Sequence, residues 1–377
     1  MIYLDNASTS WPKPPQVTAE MVRFMNEIGA NPGRASHRLA LAASNMLQAV
    51  RLKLTRLFDA DRPERTILCL NCTDALNMAV KGVLREGDHV VATQLEHNSV
   101  IRPLNALAGR GVIEVTWVPA DGAGYVDPEA IARAMRSTTR LVAVVHASNV
   151  TGLIQPLETI GRIVRERGAL FLVDAAQTAG AVDISVKLMN IDLLAVPGHK
   201  SLLGPMGTGA LCVGERVDPR PWREGGTGGD SSTPTQPTQY PYALEAGTPN
   251  AVGFAGLGAA LEVIEPAKTL AHERHLLRRL VERLGGVDGV QVVADTDVSR
   301  RVGTISLTLA TMRPDEVGAA LDGSFNIAVR TGLHCAPLTH RVLGTFPDGT
   351  VRVSPGPYTA VEEIDRLADA LCDLLRA

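Results

Sequence analysis

The fold turns on two stretches: Leu141-Val-Ala-Val-Val145, which runs on into Ser148-Asn-Val-Thr-Gly152, and Phe171-Leu-Val-Asp174, which runs on into Ala-Ala-Gln177. Each is a short apolar run closed by polar residues, the pattern of a strand buried on both faces. Between them Leu157, Ile160, Gly161 and Val164 recur at helical spacing. Outward along the chain, similar runs at 66–70, 89–92, 112–118, 169–173 and 209–213 are separated by helix-like segments. Strand and helix in alternation predict an α/β fold, a mostly parallel sheet with helices on both faces, whose ligands sit at the carboxyl ends of the strands.

With 377 residues, 45% hydrophobic and 20% charged, the chain has an ordinary globular composition and room for two domains. A net charge of −3 gives no field for nucleic acid or anionic membranes, so a small-molecule substrate is expected. The segment 224–242 is dense in Gly, Ser, Thr, Pro and Gln and predicts a long loop. Beyond it come a small-residue helix near 252–264, a charged helix near 270–284 and β-like runs at 290–293 and 303–309. An amphipathic helix follows, which Thr359 and Glu362 would start at capping-box spacing. We therefore expect a large domain over residues 15–254 and a smaller α+β domain made of residues 1–14 and 255–377. No apolar run reaches the roughly 18 residues of a membrane span, and residues 1–6 lack a signal-peptide pattern. Five cysteines in so long a chain make no disulfide framework, so a cytoplasmic protein with reduced thiols is expected.

Several residues carry chemistry. Asp174 closes an apolar run, where a carboxylate is costly unless a cation or donor meets it; a helix N-cap is the plainer reading. Asn149 and the triplet Glu96-His97-Asn98 follow two other strand-like runs, so three polar sites converge on one sheet edge. Cys69-x-x-Cys72 lacks the second pair that a structural zinc needs, and Cys69 reads as a buried thiol. Cys72 and Thr73 stand where a helix over 74–84 opens, as an anion site or as a plain cap at Thr73. Gly204-Pro-Met-Gly-Thr-Gly209 has the glycines of a phosphate loop without its Lys-Ser/Thr. Lys200, in Pro197-Gly-His-Lys-Ser201, is either a solvated lysine or a functional amine. In Arg330-Thr-Gly-Leu-His-Cys335, charge on Arg330 and His334 would favour the Cys335 thiolate. Arg352 reads as an edge-strand surface residue or as a fork for a carboxylate.

Taken in order, these pieces resemble the cysteine desulfurases, class V aminotransferase-like enzymes of PLP fold type I. The resemblance spans nearly the whole chain, from Tyr3-Leu-Asp-Asn-Ala7 and Asn31-Pro-Gly-Arg-x-x-His37 to Tyr358. It rests on Glu96-His97-Asn98, Ser148-Asn-Val-Thr-Gly-x-x-Gln-Pro156, Val173-Asp-Ala-Ala-Gln177, Gly198-His-Lys200, Glu245-Ala-Gly-Thr-Pro-Asn250 and Arg330-Thr-Gly-x-His-Cys335. The short Cys loop is similar to that of the family's second group. The resemblance implies pyridoxal 5'-phosphate (PLP) as cofactor, held by the Lys200 amine, which would later move protons at the substrate Cα. Asp174 would pair with the pyridinium nitrogen, His97 would stack on the ring and shuttle a proton, and Asn149 and Gln177 would meet the phenolate oxygen. Cys72, Thr73, His199 and, from a second subunit, Thr248 would meet the phosphate. Arg352 would clamp the substrate carboxylate, with Arg330 and Asn6 also on the substrate side. Cys335 would take sulfur from L-cysteine as a persulfide and leave L-alanine.

A homodimer, a protein sulfur acceptor for iron–sulfur cluster, thiolated-base or sulfur-cofactor assembly, and no metal are implied as well. Pro197, Cys72, Leu333 and Thr359 depart from the family's usual residues, and Pro197 removes one phosphate hydroxyl. Other readings keep the cofactor and change the reaction: a selenocysteine lyase, another C–S lyase, or an aminotransferase with Cys335 incidental. A PLP-binding regulatory or scaffold protein is the non-enzymatic reading.

Overall fold

The computed structural model describes residues 1–33, 37–229 and 232–376. In chain order these form β1 (Ile2–Tyr3), α1 (Pro15–Glu27), α2 (Arg38–Leu57), β2 (Thr66–Cys69), α3 (Cys72–Val83), β3 (Asp88–Thr93), α4 (Asn98–Ala108), β4 (Ile113–Val118), α5 (Pro128–Ala134), β5 (Thr139–Val145), α6 (Leu157–Glu166), β6 (Leu170–Asp174), β7 (Leu193–Pro197) and β8 (Gly209–Val213). They continue with α7 (Ala251–Val263), α8 (Pro266–Leu284), β9 (Val290–Val292), β10 (Ile305–Leu309), α9 (Pro314–Phe325), β11 (Ile327–Ala328), β12 (Arg330–Gly332), α10 (Pro337–Val342), β13 (Thr350–Val353) and α11 (Val361–Arg376).

Seven strands make the main sheet, in the order β2-β8-β7-β6-β5-β3-β4. Only β8 runs against its neighbours; the other pairings are parallel. Every residue of β6, β7 and β8 is buried. Alternate residues serve opposite faces: Phe171, Val173, Leu194 and Val196 join one apolar cluster, and Leu170, Leu172, Leu193 and Ala195 join the other. Strands packed on both faces need no polar side, which is why these runs read as continuous apolar segments. The α/β fold is thus the one the sequence predicts. β7 is absent from that reading, because Leu193–Pro197 is a five-residue run set among turns.

A second, antiparallel sheet has the order β12-β13-β10-β9, and β1 pairs in parallel with β11. Its core joins residues from both ends of the chain, Ile2 and Leu4 with Leu276, Ile305, Val353 and Leu371. Helix α7 runs unbroken through positions 254 and 255, with Phe254 and Leu257 packed into the main-sheet core. The described residues of 224–242 contain no helix or strand. Among the described residues no helix is long and apolar enough to cross a membrane.

Local signals differ in detail from expectation. The cap of α3 is Asn71, whose side chain accepts from the Asp74 N–H at 2.9 Å, so Thr73 lies inside the first turn and is not the cap. At α11 the carboxylate of Glu363, not Glu362, accepts from the Ala360 N–H, while the Thr359 hydroxyl accepts from the Gly356 N–H. No helix follows Asp174, so it caps none. Arg352 sits on an inner strand and is 1% exposed, which removes the edge-strand reading.

Candidate active site

A cavity of about 240 Å³ opens where β2, β3, β5, β6 and β7 end. The main sheet supplies Cys72 and Thr73 after β2, His97 after β3, Asn149 after β5, Asp174 and Gln177 at and after the end of β6, and His199 and Lys200 after β7. The smaller sheet faces them with Arg330, His334, Cys335 and Arg352, and the turn after β1 adds Ala7 and Ser8. Parallel strands make this convergence possible, since all their carboxyl ends open on one edge.

Lys200 is inside this cavity and is not a solvated lysine. Burial lowers its amine from the ordinary lysine value, and the Asp174 charge opposes that shift. Asp174 is itself raised by burial, against the Ala176 N–H, Lys200 and Cys72, which favour its charged form. The Cys72 thiol donates to Asp174 Oδ1 at 3.5 Å, so this side chain is turned to the carboxylate, not to an anion. With Asn71 occupying the Asp74 N–H, the Cys72 and Thr73 N–H groups are the open donors of the first turn of α3.

His97 caps α4. Its Nδ1 accepts from the Ser99 N–H at 3.1 Å, which leaves the ring proton on Nε2, and Ser99 Oγ lies 2.7 Å from Thr73 Oγ1. Burial, then Lys200, Arg330, Arg352 and Arg102, push His97 down to about 4, so the ring is neutral at pH 7. Glu96 beside it binds protein: Oε1 accepts from the Thr93 hydroxyl at 2.6 Å and the Val145 N–H at 2.8 Å, tying the ends of β3 and β5 together. Gln177 Nε2 donates to the Ala7 carbonyl at 3.1 Å. Asn149 Nδ2 donates to the His334 carbonyl at 2.6 Å.

The turn that carries Cys335 is held from both sides. Asn149 grips the His334 carbonyl, and the Asn98 N–H donates to the Cys335 carbonyl at 2.7 Å. His334 and Cys335 both have positive φ, 46° and 58°, which costs roughly 1–2 kcal/mol per residue. These bonds hold that conformation and leave Cys335 exposed at the cavity. His334 differs from expectation. Burial, helped by Arg352, His340 and Arg330, pushes it down to about 2, and its Nε2 faces the Thr350 carbonyl and hydroxyl at 3.2 and 3.0 Å. A neutral imidazole brings no charge to Cys335, so of the two expected cations only Arg330 remains.

Two expected residues lie outside the cavity lining. Thr248 lines a separate cleft with Arg51, Leu70, Arg223, Tyr242 and Glu245. Its loop is anchored at one end by Glu245, paired with buried Arg51 at 2.6 Å, and at the other by Asn250, which caps α7. Asn6 spends its amide on the Ser354 carbonyl and its Oδ1 on the Trp11 N–H. Arg34, part of the Asn31–His37 motif, is outside the described residues. The glycines at 204–209 line no part of the cavity; Gly204 packs on Leu257. Asp5 stands inside the Tyr3–Ala7 motif and Ser8 directly after it, but neither carried a role there, and their contacts appear only in the fold.

A mostly parallel seven-stranded sheet covered by helices, with a smaller antiparallel sheet beside it, is the architecture of PLP fold type I. The Aminotransferase class-V family model matches residues 2–367, and the chain belongs to that family. It is 37% identical, over 98% of its length and 94% of the relative's, to a probable cysteine desulfurase of Methanothermobacter thermautotrophicus. The apo structure of a cysteine desulfurase from Thermococcus onnurineus superposes with a TM-score of 0.93 at 31% identity, covering 100% of this chain and 94% of that one. The cysteine desulfurase CsdA (S-sulfonic acid) from Escherichia coli gives 0.88 at 26%, covering 99% and 94%.

Proposed function

We propose that this chain is a PLP-dependent cysteine desulfurase that converts L-cysteine to L-alanine and carries the sulfur as a persulfide on Cys335. The observation that carries the reading is the meeting of Lys200 and Asp174 with Arg352 and an exposed Cys335 in one cavity. The residues fit the cofactor. Asn149 Oδ1 and His199 Nδ1 are buried without a partner among the described residues, and two N–H groups open at the start of α3. Lys200 would hold PLP, Asp174 its ring nitrogen, His97 its face, Asn149 and Gln177 its phenolate side, and Cys72, Thr73 and His199 its phosphate. When bound, PLP supplies a sink for the electron pair left at the substrate Cα.

The chain's own residues do the rest. Arg352 and Arg330 hold the substrate carboxylate, and Lys200 takes the Cα proton. The Cys335 thiolate attacks the substrate sulfur: an S–S bond forms, the Cβ–Sγ bond breaks, its electron pair stays on Cβ, which takes a proton, and Lys200 then returns a proton to Cα. L-cysteine and a thiol thus become L-alanine and a protein persulfide with no outside oxidant.

Residues 15–263, through α7, form the cofactor-binding domain, and residues 1–14 with α8 to α11 form a smaller domain that brings the Cys loop; the boundary is put at the end of α7 and not at 254, because that helix runs unbroken across 254 and 255. The protein works as a homodimer in the cytoplasm, with Thr248 reaching the partner's phosphate site, and hands its sulfur to an acceptor protein. Exposed Leu70 and Tyr242 beside Thr248 support a second copy as the cover of that cleft.

PLP-loaded protein given L-cysteine and a reductant is expected to release alanine and sulfide in equal amounts. Cys335→Ala is expected to lose both while still binding PLP, and Lys200→Ala to lose PLP retention as well. Absence of alanine from loaded wild-type protein would move the reading to another amino acid, selenocysteine first.

A further inference from the structure

We infer that Ser8 is a positioning residue whose hydroxyl joins Arg330 and Arg352 into one clamp for the substrate's α-carboxylate; that this carboxylate is the ligand rests on the desulfurase reading. Arg352 Nη2 donates to Ser8 Oγ at 2.7 Å, and Arg330 Nη1 donates to the same oxygen at 2.8 Å. Ser8 Oγ donates its own proton to Asp5 Oδ1 at 2.8 Å. A serine hydroxyl has two acceptor sites and one proton, so all three are used here.

The pairing of strands explains why such a link is needed. Arg330 and Arg352 are cross-strand partners between β12 and β13, and like charges placed opposite each other repel. Arg352 has other holds, on Asp5 Oδ1 at 2.7 Å and on the Asn149 carbonyl at 3.1 Å. Among the described residues, Ser8 is the only hydrogen-bond partner of the Arg330 side chain. Ser8 is itself fixed, its N–H bonded to the Asp5 carbonyl at 3.1 Å and its neighbour Ala7 bonded to Ser354 Oγ at 3.0 Å.

The charge count then favours an incoming anion. Of the two guanidiniums only Arg352 is paired with a carboxylate, Asp5, which leaves the Arg330 charge over on the cavity wall that Ser8, Arg330 and Arg352 line. Donors are also left over among the described residues: Arg352 Nε is buried without a partner, and Arg330 commits only Nη1. Without the Ser8 oxygen, Arg330 loses its tether and the clamp is reduced to Arg352 alone.

The test uses full-length, PLP-loaded protein and the variants Ser8→Ala and Ser8→Thr, each checked for folding by thermal melting. A clamp that holds the carboxylate equally in ground and transition states sets KM, so Ser8→Ala is expected to raise KM for L-cysteine about tenfold and to leave kcat within about twofold. Ser8→Thr keeps the oxygen and is expected to stay near the wild-type KM. Calorimetric titration with L-alanine, which carries the same carboxylate but no sulfur, is expected to show a matching rise in Kd for Ser8→Ala. Wild-type KM and Kd in a folded Ser8→Ala variant would overturn the proposal. So would a fall in kcat with KM unchanged, a Ser8→Thr defect equal to that of alanine, or a wild-type protein that does not bind L-alanine. A wild-type protein that binds L-alanine but makes none from L-cysteine fails the desulfurase reading instead, and the titration then decides the role of Ser8.

Discussion

Glu273 lies buried in α8, where its Oε2 accepts from the Gly303 N–H at 3.2 Å. Burial raises its carboxyl to about 8, and neither that N–H nor Arg274 offsets the loss of water. Below the unfolded value of 4.5 both states are protonated and its stabilising share is complete. As pH rises toward 8 the unfolded chain releases the proton while the folded chain keeps it, so stability is lost across that window. Glu273→Gln, which cannot titrate, is therefore expected to gain in Tm relative to wild type between pH 4.5 and pH 8, as read by calorimetry at stepped pH. A difference that does not change with pH would give Glu273 an ordinary carboxyl. His146 has the opposite sign: burial lowers it to about 4, so its share is complete above 6.5 and is lost as pH falls through 4. At this scale the sequence named Lys200, Asp174 and Cys335 by their neighbours in the chain. The neutral charge state of His334 and the bridge at Ser8 depend on what the fold brings next to them, and a linear reading has no access to that.

Among the elements, the turn after β5 is where the two sheets meet. The Ser306 hydroxyl donates to the Val150 carbonyl at 2.6 Å, Arg301 donates to that of Thr151, and the Val302 N–H donates to that of Gly152 at 2.9 Å. Gly152 has φ +75°, and a Cβ there would overlap the Thr304 carbonyl oxygen. Gly152→Ala combines left-handed strain with overpacking, so a loss of about 2 kcal/mol or more is expected in denaturant melts. A variant as stable as wild type would mean that the turn is not clasped. The sequence displayed the strands because burial on both faces writes a continuous apolar run. It was less informative about caps, since Asn71, Thr73 and Asp74, or Glu362 and Glu363, offer competing side chains one or two positions apart and only the backbone decides among them.

For the whole molecule, Met25 and Leu41 are 52% and 60% exposed on α1 and α2, and Val22 and Leu39 accompany them. Water over so many apolar side chains is unfavourable, and a second copy would remove it. Light scattering is expected to give twice the 40.0 kDa chain mass, and Met25→Glu with Leu41→Glu is expected to give the single-chain mass and reduced activity. A wild-type protein at the single-chain mass would take Thr248 out of the catalytic assembly. The fold class was legible from strand–helix alternation, whereas the cleft that holds Thr248 was visible only once α2, β2 and the loop after β8 were brought together. The parallel pairing of β1 with β11 sets a timetable for synthesis. Residues 2–10 find their partners at His199, Asn326, Ala328 and Ser354. At a ribosome's pace of about 5–20 residues per second, residues 2–10 wait on the order of tens of seconds for β11 and β13 to emerge. The main sheet can fold during that interval, but its cavity gains its remaining wall only once β12 and β13 have been made.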